Sequence, residues 1–118
     1  RISVALCGDG GFTASMPELE TAVREGAHPI AIVFDNQRYG TIADPQLREG
    51  RSTRTTDRGP IDFAAAARAF GALGFSVSSD AEFESALKEA ITSRQASVIH
   101  VAVDRAGLSV DDNPLAGA

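Results

Sequence analysis

Basic residues are in the minority in this chain. Lys and Arg together number 11 against 16 Asp and Glu, a net charge of -5. Nonspecific nucleic-acid binding needs a basic face, so that class of function is disfavoured and no nucleic-acid partner is expected. Cysteine occurs once, as Cys7. No internal disulfide can form, and a reducing, cytoplasmic compartment is the expectation. No apolar run approaches the ~20 residues of a membrane helix, so no membrane partner is expected either. Internal repeats and low-complexity segments are also missing. What is present is a 118-residue chain, 43% hydrophobic and 23% charged with both signs mixed. That profile predicts one small globular domain with one real core. The chain opens with Arg1-Ile2-Ser3-Val4, already inside a strand-like pattern, which predicts a truncated chain or a fragment.

The periodicity changes repeatedly along the sequence. Ile2 to Cys7 reads as a short buried strand ended by Gly8-Asp9-Gly10-Gly11. Ser15 and Glu18 have the spacing of a capping box, and Leu19, Ala22 and Val23 continue at helical spacing to a stop at Gly26. Ile30 to Phe34 is a continuous apolar run of strand length, ended by Asp35-Asn36; runs of this kind belong to parallel sheets covered on both faces. Ala43 to Gly59 shows no periodicity and holds Arg48, Arg51, Arg54 and Arg58, so residues 43–59 are expected to form a flexible loop. Its arginines read as a solvated lid surface, with recognition of a substrate carboxylate or a diphosphate as the sharper alternative. Pro60 is expected to start a helix carrying Phe63, Ala66, Ala67 and Phe70. Phe75 to Val77 is a weak strand. Ser79 and Glu82 make a second capping box before the stripe Phe83, Ala86, Leu87, Ala90, Ile91. Val98 to Val103 is the last strand, and Gly107 to Ala118 is expected to be loosely ordered. The order βαβ, loop, αβαβ predicts an α/β three-layer sandwich with a mainly parallel sheet and right-handed crossovers.

In such sheets ligands bind beyond the carboxyl ends of the strands. Asp9 directly follows the first strand and Asn36 the second. If those strands are neighbours, roughly 4.8 Å apart, both side chains can reach one cation. Their hard oxygen donors suit Mg²⁺ or Ca²⁺ rather than zinc, and Mg²⁺ completes its shell with phosphate oxygens and water. Gly8, Gly10 and Gly11 allow the backbone to approach a phosphate and offer it N–H groups. The helix expected to begin near Ser15 would add its positive end. A diphosphate held through a divalent metal is therefore the reading from the residues themselves. Gly-Asp-Gly-Gly alone also fits an ordinary tight turn, and Asn36 also fits a capping residue. His100 and Cys7 read as packing residues of buried strands, and His28 as a solvent-facing turn residue.

Gly8-Asp9-Gly10 followed one crossover later by Asp35-Asn36 resembles the thiamine-diphosphate motif, which begins Gly-Asp-Gly and ends Asn-Asn. Glu18-Leu19-Glu20-Thr21-Ala22-Val23-Arg24 resembles a helix of the acetolactate-synthase-like branch of that family, and Tyr39-Gly40 matches the pair after the second half of the motif. The likeness runs from Ile2 to about Asp104. It implies that the Asp9 carboxylate, the Asn36 side chain and the Arg38 carbonyl ligate Mg²⁺. Gly10, Gly11, Tyr39, Gly40 and Thr41 would line the diphosphate and thiazolium site. It implies thiamine diphosphate as cofactor, a 2-oxo acid as substrate, and decarboxylation with carboligation as the chemistry of a larger homo-oligomeric enzyme. Simple 2-oxo-acid decarboxylation is the alternative, and a noncatalytic α/β module without cofactor is the reading of another class.

Three departures accompany the likeness. Asp35 stands where the family has the first Asn of its pair. Ala43-Asp44-Pro45 does not resemble the residues after Tyr-Gly in acetolactate synthases. The family also has a Gly-rich strand-helix segment and a separate pyrimidine-binding domain, with a cofactor-activating glutamate, that are not in these 118 residues. The chain is thus expected to be the C-terminal part of the diphosphate-binding domain, to contain no catalytic residue, and to need its upstream domains. Glu18, Glu20 and Glu25 belong to a different motif and do not supply the missing glutamate.

Overall fold

Each apolar run of strand length forms a strand, and all of the strands point the same way. The computed structural model describes residues 1–105. In chain order the elements are β1 (Ser3–Gly8), α1 (Asp9–Ser15), α2 (Glu18–Arg24), β2 (Pro29–Asp35), α3 (Gly40–Arg48), α4 (Phe63–Ala69), β3 (Leu73–Val77), α5 (Asp80–Ser93) and β4 (Ser97–Ala102). The strands form one four-stranded sheet in the order β1-β2-β4-β3, with every pairing parallel. Side chains alternate across the sheet. Ala31 and Val33 of β2 and Val98 of β4 pack with Phe12, Leu19, Phe63 and Ala67 from α1, α2 and α4. Ile30, Ile32 and Ile99 face the other way onto Ala86 and Ala90 of α5. Helices thus cover both faces, giving the three layers that the alternating periodicity predicts.

β1 is covered incompletely. Val4 is paired with Ile30 and Leu6 with Ile32, so they share the α5 face, yet they are 48% and 72% exposed. α5 does not reach this edge, and apolar surface remains open there.

Helix boundaries depart from expectation in three places. Ser15 is the last residue of α1, not a cap for α2, and its hydroxyl bonds back to the Gly11 and Phe12 carbonyls. The cause is that Asp9-Gly10-Gly11 turn helical directly after β1, one turn earlier than the Gly-rich sequence suggests. Pro60 does not start a helix; the cap of α4 is Asp62, whose carboxylate accepts the Ala65 N–H. Residues 43–59 are not uniformly irregular, since α3 runs through Pro45 to Arg48 and Ala43 is fully buried. Other signals hold. Gly26 adopts φ 64° and closes α2, with Ala27 N–H reaching the Ala22 carbonyl and Gly26 N–H that of Val23. Ser79 caps α5, its hydroxyl accepting the Glu82 N–H, and the Glu82 carboxylate accepts the backbone N–H of Ser78. The expected disorder of Gly107 to Ala118 lies outside the described residues.

Candidate cofactor and metal site

The register between β1 and β2 decides where the polar residues go. Gly8 pairs with Phe34, so Asp9 and Asp35 emerge side by side at the carboxyl ends of two adjacent strands. A cavity of about 280 Å³ opens there. All nine residues expected at the cofactor and metal site line it, namely Gly8, Asp9, Gly10, Gly11, Asn36, Arg38, Tyr39, Gly40 and Thr41, together with Phe34. One crossover has brought the two halves of the motif to one place.

Local geometry shapes each donor. Asp9 is the first residue of α1 and is 3% exposed. Its Oδ1 accepts the Gly10 N–H at 2.8 Å. Asn36 Oδ1 accepts the Arg38 N–H at 3.2 Å, an Asx turn that fixes the side chain at the end of β2. Gln37, the central residue of this turn, has a left-handed φ of 57°. Two glycines permit close approach. A Cβ on Gly10 would lie 2.7 Å from the Tyr39 ring, and one on Gly40 would lie 3.2 Å from Asn36 Nδ2. The positive end of a helix does reach the site, but it belongs to α1 starting at Asp9, not to a helix starting near Ser15.

Asp35 does not line this cavity, although its carboxyl meets that of Asp9. It is 7% exposed; Oδ1 accepts the Gln37 N–H at 2.9 Å and Oδ2 pairs with His100 Nε2 at 2.9 Å. Asp35 and His100 line a neighbouring cavity of about 600 Å³ instead. The His100 ring also stands edge-on to Phe63, 5.2 Å between centroids. His100 is thus a satisfied packing histidine, as its apolar strand predicts, with the carboxylate as partner. Burial raises the Asp9 carboxyl above its ordinary pKa, and a hydrogen bond shared with Asp35 pushes the same way, against the Gly10 N–H and Arg58. Burial opposes ionisation of Asp35 too, but the bonds from Asp9, Gln37 and His100 prevail and hold it below its ordinary value. Burial alone raises the Cys7 thiol, consistent with a small hydrophobe that packs against the core.

Arg58 enters the site although the sequence reads it as solvated. Its Nη1 lies 2.8 Å from Asp9 Oδ2, the two side chains being 9% and 5% exposed. The contact is close but not along a hydrogen-bonding direction, and Asp9 Oδ2 is buried without a directed donor. Such an oxygen suits a metal ion. Among the described residues no group of three or more His, Cys, Asp or Glu could hold a metal. One carboxylate, one amide oxygen and one carbonyl is the sparse donor set that Mg²⁺ accepts when phosphate oxygens complete its shell. The residues present therefore fit a metal-bridged diphosphate.

The family model described as thiamine pyrophosphate enzyme, C-terminal TPP binding domain, matches residues 1–101. The catabolic acetolactate synthase of Raoultella terrigena is 37% identical over 115 residues, which are 98% of this chain and 20% of that protein. An acetolactate synthase of Bacillus subtilis (strain 168) is 38% identical over 101 residues, 86% of this chain and 18% of its own length. The crystal structure of benzoylformate decarboxylase from Polynucleobacter necessarius superposes with a TM-score of 0.82 at 31% identity, over 89% of this chain and 20% of that one. The chain spans about a fifth of the length of these relatives.

Proposed function

The chain belongs to the thiamine pyrophosphate enzymes as part of their C-terminal TPP-binding domain, and on that premise we propose that it holds the diphosphate of thiamine diphosphate through Mg²⁺. The observation that carries this reading is the convergence of Asp9, Asn36 and the glycines on one cavity, with a buried Asp9 oxygen lacking a directed donor. Asp9, the Asn36 side chain and the Arg38 carbonyl are the metal ligands in this reading. Gly8, Gly10 and Gly11 let the backbone approach the phosphates, and Tyr39, Gly40 and Thr41 form the opposite wall. Thiamine diphosphate, when bound, supplies the electron sink for cleaving a 2-oxo acid and passing its acyl unit onward. The chain's own residues bind and orient; none of them moves a proton in that chemistry.

The parent enzyme is proposed to be acetolactate-synthase-like, acting on 2-oxo acids by decarboxylation and carboligation, as an oligomer in the cytoplasm. The second reading is a 2-oxo-acid decarboxylase of the same family, favoured by the likeness to a benzoylformate decarboxylase. Residues 1–118 are read as the C-terminal part of the diphosphate-binding domain, with the exposed part of the 43–59 loop, residues 50–54, as its mobile edge. The open apolar edge at Val4 and Leu6 supports a requirement for the other domains. Carbon dioxide release from a panel of 2-oxo acids, with Mg²⁺ and thiamine diphosphate, tests this. The full-length protein is expected to turn over and this chain alone is not. Turnover by the isolated chain would overturn the reading that part of the active site lies elsewhere, and an inert full-length protein would favour a noncatalytic module.

A further inference from the structure

A cation of the chain's own lies against Asp9 Oδ2. Arg58 Nη1 is 2.8 Å from Asp9 Oδ2, and Nη2 donates to Thr13 Oγ1 at 2.7 Å. The guanidinium lies 5.5 Å from the centroid of the Tyr39 ring. The Arg58 backbone N–H donates to the Gln37 carbonyl at 2.8 Å, tying the residue to the turn that carries Asn36 and Arg38. Arg58 therefore touches α1 and the Tyr39 ring with its guanidinium and the turn after β2 with its backbone.

Mg²⁺ sits about 2.0–2.1 Å from a carboxylate oxygen. It cannot take Oδ2 while the guanidinium holds that oxygen, because the two cations would crowd and repel each other in a buried site. We infer that Arg58 is an internal counter-ion that competes with the metal for Asp9, so that loading the cofactor requires the guanidinium to leave Oδ2. This inference rests on the proposed metal role of Asp9. A buried carboxylate without a cation is costly, and Arg58 removes that cost when no metal is present. The off-axis contact makes the pair chiefly Coulombic, so a divalent ion can outcompete it. Thr13 and the Tyr39 ring lie against the same guanidinium and help to hold it at Asp9. Competition of this kind lowers apparent affinity by the fraction of molecules in which Asp9 is free.

The test uses the full-length protein and Mn²⁺, followed by its electron paramagnetic resonance signal, with saturating thiamine diphosphate. The Arg58→Gln variant is expected to bind Mn²⁺ more tightly than wild type, on the order of tenfold. Thr13→Val removes the guanidinium's Oγ1 partner and the hydroxyl bond to the Asp9 backbone carbonyl but leaves the Asp9 carboxylate in place, and it is expected to tighten binding by less. Cofactor-free Arg58→Gln is also expected to melt below wild type, with the deficit removed by Mg²⁺ and thiamine diphosphate. Weaker binding by Arg58→Gln would make the arginine a phosphate ligand and overturn the competition, as would unchanged binding in both variants. If Arg58→Gln does not fold, Thr13→Val decides alone. Wild-type protein that binds no metal with the cofactor would instead sink the proposed function itself, a result distinguishable from a failure of the competition.

Discussion

Gly74 is where the packing of β3 leaves no room for any side chain. A Cβ built there would lie 2.0 Å from the Ala64 carbonyl oxygen and 2.7 Å from its carbon. Both atoms are backbone of α4, so no rotamer change can relieve the clash. Reaching an ordinary contact near 3.4 Å requires β3 and α4 to separate by about 1.4 Å, more than a close-packed interior absorbs freely. Overpacking of this kind costs about 1–3 kcal/mol, and a backbone clash belongs at the upper end. Removing a strand glycine returns about 0.5–1 kcal/mol through the unfolded chain. A net loss of about 2 kcal/mol is expected for Gly74→Ala, which lowers the melting temperature, by less in a long protein than the roughly 8–16 °C that the same loss gives a 60–100-residue domain. Scanning calorimetry of the full-length protein would measure it, with Gly59→Ala as the control because a Cβ there meets nothing within 4 Å. The displacement should also reach Phe63 on α4, and with it the His100 ring. Gly74→Ala melting within a degree of Gly59→Ala would refute the packing argument.

Gly10→Ala is expected to leave the melting temperature nearly unchanged, because the Tyr39 ring it meets is 44% exposed and can swing aside. The same variant should weaken binding of thiamine diphosphate, measured by calorimetric titration, since one wall of the cavity has moved. Glu82 has its pKa lowered by bonds from Ser78, so its contribution is present above the unfolded carboxylate pKa and is lost as pH falls through the lower folded value. The stability gap between wild type and Glu82→Gln, followed by denaturant unfolding, should therefore be seen at neutral pH, narrow below about pH 4.3, and shrink with added salt, as Glu82 is exposed. Ser79→Ala removes the cap of α5 and should cost about 0.5–2 kcal/mol in the same experiment. Amide exchange should be faster at Gly50 to Arg54, which are largely exposed, than in β2 and β4, and equal rates would remove the mobile edge.

The strands and the two halves of the site were legible because each rests on short-range information. Continuous apolar runs such as Ile30 to Phe34 specify buried parallel strands, and one crossover suffices to bring Asp9 and Asn36 to one cavity. The parts that were not legible depend on distant pairings. Arg58 meets Thr13 across 45 positions, and nothing in its Ser/Thr/Gly-rich surroundings distinguishes it from Arg51, which is exposed and pairs locally with Glu49. Asp35 meets His100 across 65 positions, which requires that β4 insert between β2 and β3. That strand order would have been the signal, because Val33 then pairs with His100 and places the ring near Asp35. α3 was obscured by Pro45, which removes a helical donor and normally marks a break. With Ile42 and Leu47 55% and 51% exposed, its apolar residues do not make the usual buried stripe.

Calorimetric titration of the full-length protein with thiamine diphosphate, in Mg²⁺ and then in chelator, tests the central claim most directly when wild type is compared with Asp9→Ala. Saturable binding is expected in wild type only when Mg²⁺ is present. Asp9→Ala should show none while keeping a folded far-ultraviolet circular dichroism spectrum, because the diphosphate loses its bridging cation. Metal-dependent binding of unchanged affinity in Asp9→Ala would contradict the assignment of this cavity as the site that holds the cofactor's diphosphate.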